Sequence, residues 1–417
     1  MKHLDVWIDD DSLGKALVGR LVRSTGKTGD AISFEYDPTW LKGSGPVSGF
    51  QLDPELILAT GRHYARAGAD CLTGIFADCS PDRWGKTLMK RREAIEAREA
   101  NRPVRNLRDW DFLIGVNDES RMGALRLMDP DSARYVDDRE LSAPPITALR
   151  ELEAIAAQVE RGDADDTPEL VRWLKQLIAP GASLGGARPK ASFRDQDGTL
   201  WLAKFPSNDD DRDVGLWEYL THQLAIDAGI DMPEARPLRL SDRGHTFAVR
   251  RFDRTPTSRR MFASAMTLLD VNESDGMGYL DLVSVIESVG TSANIQADLE
   301  QLFRRALFNI LVGNRDDHLR NHGFLREGNG WRLSPAFDIN PNPDKASHIL
   351  AIDESDTTPN SGNLMAVADY YRLNKRAIGR VESQVRKAIR EWETRARSLG
   401  LRAVEIDGMR AVIDFER

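Results

Sequence analysis

With 417 residues the chain has room for two or three domains, and its 41% hydrophobic and 29% charged residues are typical of a globular protein. The formal net charge of −9 does not indicate a whole-molecule attraction to nucleic acid, and two cysteines are too few for a disulfide framework. The N-terminus has no apolar signal core and no window is apolar enough to span a membrane, so we expect a cytoplasmic protein without membrane contact.

The N-terminal part of the chain is predicted to be rich in strands, with helices between them. The predicted strands are Lys15–Arg23, Ala31–Tyr36 and Leu125–Met128. The predicted helices are 54–100, 146–159 and 168–178. The first of these helical segments is broken at Ser80-Pro81-Asp82, where Pro81 in a first helical turn after Ser80 fits N-terminal capping.

A hairpin followed by helical segments is predicted further along. The hairpin strands are Ala191–Arg194 and Leu200–Phe205, with the turn Asp195-Gln-Asp-Gly198 between them. The elements predicted after it are a helix over Trp217–Ala228, paired strands over Arg236–Leu240 and Thr246–Phe252, a helix from Leu299 that ends at Gly313, and a long amphipathic helix over Ile378–Trp392. The order of these segments is that of a two-lobed kinase.

The segment Asn314-Arg-Asp-Asp-His-Leu-Arg-Asn321 has the D-x-x-x-x-N spacing of a kinase catalytic loop, with Asp316 and Asn321 five residues apart. Asp338 follows seventeen residues after Asn321, beyond a predicted hairpin. In phosphoryl transfer one carboxylate orients the attacking hydroxyl, and oxygen ligands hold magnesium on the phosphates. We predict that Asp316 is the catalytic carboxylate and that Asn321 and Asp338 bind Mg²⁺.

Other interpretations of this loop compete with the catalytic one. Asp317 is a second candidate carboxylate, but it lacks the five-residue offset, and His318 is expected to hydrogen-bond the loop and not to act as a base. The whole segment could also be an Asx-rich turn, with Asp338 in a second one. The preceding helix and the following hairpin make the match more specific than the spacing alone.

Lys204 lies on the second strand of the predicted hairpin, where burial is costly unless an anion meets the ammonium group. ATP phosphates or a helix carboxylate, for which we choose Glu218, would supply that anion; the alternative is an edge-strand lysine that reaches water. Gly185 and Gly186 precede the hairpin and would let backbone N–H groups approach phosphates, while Lys190 would add positive charge. A simple turn is the alternative for the glycines.

Two further features have open interpretations. Phe252 is predicted to lie where two lobes join, so it would pack against adenine or serve as a core aromatic residue. The C-terminal helix is bordered by basic residues that form either a solvated surface or a contact for phosphate or an acidic partner. These basic residues are Arg376, Arg380, Arg386, Lys387, Arg390 and Arg397.

We therefore predict an α+β, two-lobed, protein-kinase-like fold with a β-rich N-terminal lobe, an extra N-terminal subdomain and an all-α C-terminal lobe. The predicted division is an N-terminal β-rich subdomain over 1–135, a nucleotide-binding N-lobe over 136–253 and a helical C-lobe with the catalytic loop over 254–417.

Several of these motifs together resemble the HipA family, the serine/threonine kinase toxins of bacterial toxin–antitoxin pairs. The resemblance covers nearly the whole chain. The motifs that carry it are the Phe76–Arg83 region, Asp111–Leu125, Ser183-Leu-Gly-Gly-Ala-Arg-Pro-Lys190, Ala248-Val-Arg-Arg-Phe-Asp-Arg254, Asp316-Asp-His-Leu-Arg-Asn321 and Pro335-Ala-Phe-Asp338.

The resemblance implies ATP contact by Lys204, catalysis by Asp316 and metal binding by Asn321 and Asp338. It also implies Ser183 as an autophosphorylation site that switches the kinase off, and phosphate repulsion beside the nucleotide is a sufficient physical reason. Implied partners are an aminoacyl-tRNA ligase as protein substrate, whose phosphorylation halts translation, and a helix-turn-helix antitoxin that binds operator DNA together with the kinase. Pro189 removes a backbone donor from the glycine loop, which alters the phosphate contacts expected there.

Three other functions are considered beside this one. A small-molecule phosphotransferase of kinase-like fold would keep the same ATP site. A catalytically silent co-repressor acting with a DNA-binding antitoxin would not need Lys204, Asp316, Asn321 and Asp338 together. A metal-dependent hydrolase built on Asp-Asp-His would need further histidines for which the sequence has no second cluster.

Overall fold

A computed structural model describes residues 3–26, 29–68, 71–138, 143–161 and 188–414. The chain divides into two compact units. The first unit consists of Met1–Asn208 with Asp253–Ala263, and the second consists of Asp209–Phe252 with Ser264–Arg417. The three-part division predicted from the sequence remains a prediction.

The first unit is built on a five-stranded antiparallel sheet with the strand order β3-β2-β1-β4-β5. Its strands are β1 (His3–Asp10), β2 (Gly14–Gly26), β3 (Gly29–Tyr36), β4 (Leu125–Asp129) and β5 (Arg134–Tyr135). The three predicted strands of this region are confirmed as β2, β3 and β4. The sequence analysis missed β1, in which buried Leu4, Val6 and Ile8 alternate with more exposed residues, because its acidic residues obscure the alternating pattern.

Five helices of this unit are described: α1 (Pro38–Lys42), α2 (Gly74–Asp78), α3 (Arg83–Glu99), α4 (Asp109–Ile114) and α5 (Leu149–Arg161). The predicted helix over 54–73 is wrong. Asp53 accepts hydrogen bonds from the backbone N–H groups of Glu55 at 2.8 Å, Leu56 at 3.1 Å and Ile75 at 2.9 Å, so local turns replace the helix. The predicted helix over 168–178 lies outside the described residues.

The start of α3 corrects a second prediction. Asp82, and not Ser80, is the N-cap residue, since its Oδ1 accepts the Gly85 N–H at 2.8 Å. Pro81 therefore precedes the cap and lies outside the first helical turn. This shift leaves the second carboxylate oxygen of Asp82 available for another contact.

A buried ion-pair cluster fixes the other end of α3. Glu93 is buried and accepts hydrogen bonds from both Arg102 and Arg105, including the Arg105 backbone N–H at 2.8 Å. The hydrogen bonds from Arg102 and then Arg105 hold the pKa of Glu93 well below its usual range, although burial opposes them. The segment that leaves α3 is therefore tied back onto the helix.

The remaining strands of the first unit form the predicted hairpin, with β6 (Lys190–Arg194) antiparallel to β7 (Leu200–Lys204). The register pairs Lys190 with Lys204 and Phe193 with Trp201. Both strands are almost wholly buried, so every polar side chain on them needs a partner.

The second unit opens with α6 (Val214–Asp227), which Asp213 caps by accepting the Leu216 N–H at 3.1 Å. The predicted pair of strands follows as an antiparallel hairpin of β8 (Ala235–Ser241) and β9 (Gly244–Arg250). The chain enters the rest of this unit through β10 (Phe262–Ser264), which begins in the first unit. Phe252, predicted to end a strand, lies just beyond β9.

Helices make up most of the rest of the second unit, together with one hairpin of β11 (Gly323–Glu327) and β12 (Gly330–Leu333). The helices are α7 (Ala265–Leu268), α8 (Tyr279–Val289), α9 (Ile295–Val312), α10 (Ser361–Ala366), α11 (Lys375–Arg390), α12 (Trp392–Leu399) and α13 (Ala403–Met409). Almost every residue of the C-terminal two thirds of α9 is buried, which makes this helix the centre of the core. The single C-terminal helix predicted over Ile378–Trp392 is interrupted at Glu391, which is the cap residue of α12.

Candidate active site

The Asn314–Asn321 loop begins at a fixed point, because α9 ends at Gly313 in the left-handed conformation with φ 69°. A Cβ atom at this position would lie 2.3 Å from Val412 Cγ1 and 2.9 Å from the Val412 carbonyl oxygen, so only glycine fits. The Asn314 amide donates to Asn309 Oδ1 at 3.2 Å, which ties the loop back to the helix. The predicted end of this helix is confirmed.

Asp317 is the buried anchor of the loop. Its Oδ2 accepts hydrogen bonds from the Tyr279 hydroxyl at 2.6 Å, His322 Nε2 at 2.9 Å and Asn309 Nδ2 at 3.0 Å. Burial would raise the pKa of Asp317, but the charge and hydrogen bond of His322, with the Tyr279 hydroxyl, hold it below its ordinary value. Asp317 is therefore a structural carboxylate, and its partners leave it no surface for a substrate.

Asp316 has the opposite environment, with 54% of its side chain exposed. Its carboxylate is paired with the ammonium group of Lys345, which is also partly exposed at 39%. Arg315 supports this arrangement by donating to the Lys345 carbonyl oxygen at 2.6 Å. Of the two adjacent aspartates, Asp316 is the one that a substrate hydroxyl can reach.

Asn321 closes a short 3₁₀ turn over Leu319–Asn321 and is buried. Its Oδ1 atom is fully buried and has no hydrogen-bond partner among the described residues. A buried amide oxygen without a donor is costly unless a ligand meets it. Mg²⁺ prefers oxygen ligands and takes only one or two from the protein in phosphate sites, so this oxygen fits the metal.

Asp338 lies in a segment that is fastened to both ends of the loop. The Ser334 N–H donates to the Gly323 carbonyl at 2.8 Å, and the Asn342 N–H donates to the Gly313 carbonyl at 2.9 Å. The chain between Ser334 and Asn342 therefore runs alongside the loop and carries Asp338 with it. Asp338 has φ 58°, a left-handed conformation that aspartate adopts more readily than most non-glycine residues.

A metal site formed by Asn321 and Asp338 would differ from sites in which several acidic or histidine side chains surround the ion. In the described parts of the chain, no group of three or more His, Cys, Asp or Glu side chains could hold a metal ion. A site with Asn321 and Asp338 as its protein ligands does not require such a group, since nucleotide phosphates and water supply the other ligands of Mg²⁺.

Phe252 stacks on Phe337, with ring centroids 5.4 Å apart and an interplanar angle of 28°. Phe337 directly precedes Asp338, so the aromatic pair supports the segment that holds this carboxylate. The structure thereby favours a packing role for Phe252, and its contact with adenine remains a prediction. Glu218 is buried in α6 of the second unit, whereas Lys204 belongs to the first, and their pairing also remains a prediction.

In the first unit, the predicted phosphate-binding lysines lie on the β6–β7 hairpin. Lys204 is buried, as predicted from its strand position. Lys190 is also buried, and its Nζ donates to Asp82 Oδ2 at 2.7 Å. Ser183, Gly185 and Gly186 lie outside the described residues.

The sequence analysis missed the residues that hold the loop in place. These are Tyr279, Asn309, His322 and Lys345. His322 follows Asn321 directly, and its position next to the motif was the one local signal for it. His318 contributes a loop hydrogen bond through its backbone, since its carbonyl accepts the Asn321 N–H at 2.8 Å, while His322 bonds Asp317 through its side chain.

Comparisons with known proteins identify the family and the fold class. The HipA-like C-terminal domain family matches residues 182–399, and the HipA N-terminal domain family matches residues 4–128. The solved HipA chain of Shewanella oneidensis MR-1, crystallised with HipB and operator DNA, is 18% identical, with a TM-score of 0.65. The likeness covers 98% of this chain and 94% of that one, and it confirms the predicted α+β protein-kinase-like fold class.

Two curated relatives match a shorter part of the sequence. The protein named "Putative kinase Y4dM" of Sinorhizobium fredii is 28% identical over 157 residues, which cover 34% of this chain and 37% of the relative. A "Putative kinase" of Haemophilus influenzae is 26% identical over 163 residues, covering 34% and 48%. The chain thus spans less than half the length of these two relatives.

Proposed function

The chain belongs to the HipA family, and we propose that it is an ATP- and magnesium-dependent serine/threonine protein kinase. The observation that carries this proposal is the loop geometry. Asp316 is exposed, its neighbour Asp317 is locked in the core, and the buried Asn321 Oδ1 has no hydrogen-bond partner in the described chain. An accessible carboxylate beside an oxygen ligand without a donor is the arrangement that phosphoryl transfer needs.

In this mechanism Asp316 accepts a hydrogen bond from the substrate hydroxyl and orients its oxygen toward the γ-phosphorus of ATP. The new O–P bond forms as the bond from the γ-phosphorus to the bridging oxygen breaks. ADP leaves, and the hydroxyl proton passes to Asp316 or to water. Before this step the exposed ion pair with Lys345 must open, which costs little because exposed pairs contribute about 0–1 kcal/mol.

Asn321 and Asp338 would bind Mg²⁺, which neutralises charge on the phosphates when it is bound. A phosphate contact by Lys204 is proposed as a separate role of the first unit. Phe337 and Phe252 keep the segment of Asp338 in place by packing, which orients the metal ligand without contacting the reacting atoms.

We further propose that this kinase is the toxin of a toxin–antitoxin pair, that its protein substrate is an aminoacyl-tRNA ligase, and that modification of Ser183 switches it off. The Shewanella oneidensis HipA chain was solved with HipB and operator DNA, and this supports an antitoxin and operator DNA as partners here; we propose that the antitoxin is of the helix-turn-helix type. The names of the two curated relatives support kinase chemistry. None of the helices described is long and apolar enough to cross a membrane.

The test uses purified chain, Mg²⁺ and radiolabelled ATP. Asp316→Ala should lower phosphoryl transfer on the order of 100- to 10,000-fold, the usual contribution of such a group, without changing the melting temperature. Asp344→Ala is the matched control, because Asp344 is a 75% exposed carboxylate in the same region and should leave activity unchanged. Full activity of Asp316→Ala would refute the proposed site.

The biological role is tested separately. Phosphoproteomics of cells that express the chain without its antitoxin should show phosphate on an aminoacyl-tRNA ligase, and the Asp316→Ala strain should lack it. Mass spectrometry of the purified kinase should find phosphate on Ser183 and none on Ser192, which is fully buried in β6. Phosphate on metabolites and not on proteins would favour a small-molecule phosphotransferase.

A further inference from the structure

Two buried lysines face each other on the β6–β7 hairpin. Lys190 and Lys204 are register partners, so their side chains leave the same face of neighbouring strands. Both side chains are almost fully buried. Like charges directly opposite each other destabilise a sheet, and burial strengthens the repulsion.

Asp82 is a buried ion-pair partner of Lys190. Its Oδ2 accepts the Lys190 ammonium group at 2.7 Å, with only 1% of the lysine and 6% of the aspartate side chain exposed. Its Oδ1 caps α3 by accepting the Gly85 N–H at 2.8 Å. Trp84, in the same helical turn, donates its indole N–H to the Lys190 carbonyl at 3.2 Å. The first turn of α3 therefore holds both the side chain and the main chain of Lys190.

We propose that Asp82 is a positioning residue of the nucleotide site, which neutralises Lys190 and keeps it away from the phosphates so that Lys204 alone contacts them. This inference rests on the proposed kinase function and on the phosphate contact of Lys204. It replaces the direct phosphate contact predicted for Lys190 by an electrostatic one, in which the Lys190–Asp82 pair sets the charge beside the nucleotide.

The proposal predicts effects of opposite sign for the two halves of one ion pair. Asp82→Asn keeps the helix cap, since Asn caps as well as Asp, but it removes a negative charge near a polyanion, so Mg·ATP should bind more tightly. Lys190→Met leaves the Asp82 carboxylate uncompensated and should weaken binding. Each change is expected to alter the Kd by about tenfold, or ~1.4 kcal/mol.

A double variant separates electrostatics from structure. Asp82→Asn/Lys190→Met removes both charges at once, so its affinity should return to within about twofold of wild type. If Asp82 were only a structural anchor, every variant would lose stability and bind nucleotide equally or more weakly.

The experiment measures binding of the non-hydrolysable analogue AMP-PNP with Mg²⁺ by calorimetry, on full-length variants whose folding is checked by circular dichroism. Adenosine is the control ligand, since without phosphates its affinity should not respond to either charge. Tighter binding by Asp82→Asn and weaker binding by Lys190→Met support the inference. A change in the same direction for both variants overturns it while leaving the kinase proposal intact.

Two remaining outcomes are also decisive. If Asp82→Asn does not fold, the double variant replaces it, and a loss of affinity greater than about tenfold in the folded double variant overturns the inference. If the wild-type chain binds no Mg·AMP-PNP, the kinase proposal fails first and this inference fails with it.

Discussion

The two adjacent aspartates of the catalytic loop should respond to the same substitution in opposite ways. Asp317→Ala removes the acceptor for three buried hydrogen-bond donors, at 2.6, 2.9 and 3.0 Å. Asp316→Ala removes an exposed carboxylate whose ion pair with Lys345 adds little stability. We therefore expect Asp317→Ala to impair folding and Asp316→Ala to impair chemistry alone.

The size of the Asp317 effect follows from its contacts. Hydrogen bonds to a charged group contribute about 1.5–3 kcal/mol each, and the bonds are not additive because Asn309 also donates to the Tyr279 hydroxyl at 3.1 Å. Removing one partner of a buried charged network costs about 3–5 kcal/mol. For a unit of roughly 200 residues this corresponds to a fall in melting temperature of roughly 10 °C.

The pH dependence provides a second measurement. The pKa of Asp317 is lowered from its ordinary value of 3.8, so the folded state favours the ionised form. Its contribution is therefore fully present above that value and is lost as the pH falls through the lowered pKa. Calorimetry of wild type, Asp316→Ala and Asp317→Ala between pH 7 and pH 3 checks both points. The reasoning is refuted if Asp317→Ala melts within about 2 °C of wild type at pH 7.

Three further predictions concern other parts of the chain. Glu93→Gln should lower the melting temperature by a few degrees at pH 7. Its melting temperature should approach that of wild type as the pH falls below 4.5, because Glu93, whose pKa is lowered in the fold, stabilises the protein only while it is ionised. Gly313→Ala should lower the free energy of unfolding in urea by about 2–3 kcal/mol, because of left-handed strain and the close contact with Val412. Gly379→Ala, in an exposed helical position with open space, should raise the free energy of unfolding by about 0.5–1 kcal/mol. Equal effects of the two substitutions would contradict the geometry. Lys345→Met should change the free energy of unfolding by less than about 0.5 kcal/mol. In a kinase assay its turnover should be no lower than that of wild type, since the ion pair with Asp316 must open before a hydroxyl binds. A large loss of turnover would show that Lys345 is needed for the reaction.

The structural elements around the loop could be predicted because they are encoded at short range. Asp316 and Asn321 are separated by a fixed spacing, Gly313 marks the helix end before them, and the β11–β12 hairpin accounts for the distance to Asp338. Each of these features depends on neighbours within about twenty residues. Local patterns of this kind also predicted β2, β3, β4 and the β6–β7 hairpin.

The sequence could not distinguish Asp316 from Asp317 by environment, because the difference comes from the partners of Asp317. Tyr279 is 38 residues away from Asp317, and Asn309 is 8 residues away, in α9. No local pattern indicates that these side chains meet in the core. The helical prediction over 54–73 failed for a related reason, since Asp53 is bound by the Ile75 N–H from 22 residues away.

The same distinction explains why Lys190 was first assigned a direct phosphate contact. Proximity to two glycines is visible in the sequence, whereas the carboxylate that neutralises Lys190 comes from Asp82, 108 residues earlier in the chain. The sequence therefore shows that a lysine is charged, but the electric field that this charge produces around it depends on its ion-pair partner. Since Asp82 belongs to the segment matched by the HipA N-terminal domain family, the charge beside the proposed nucleotide site depends on both family domains of the chain. A fragment lacking residues 4–128 should for this reason be altered in its nucleotide affinity even if its catalytic loop is intact.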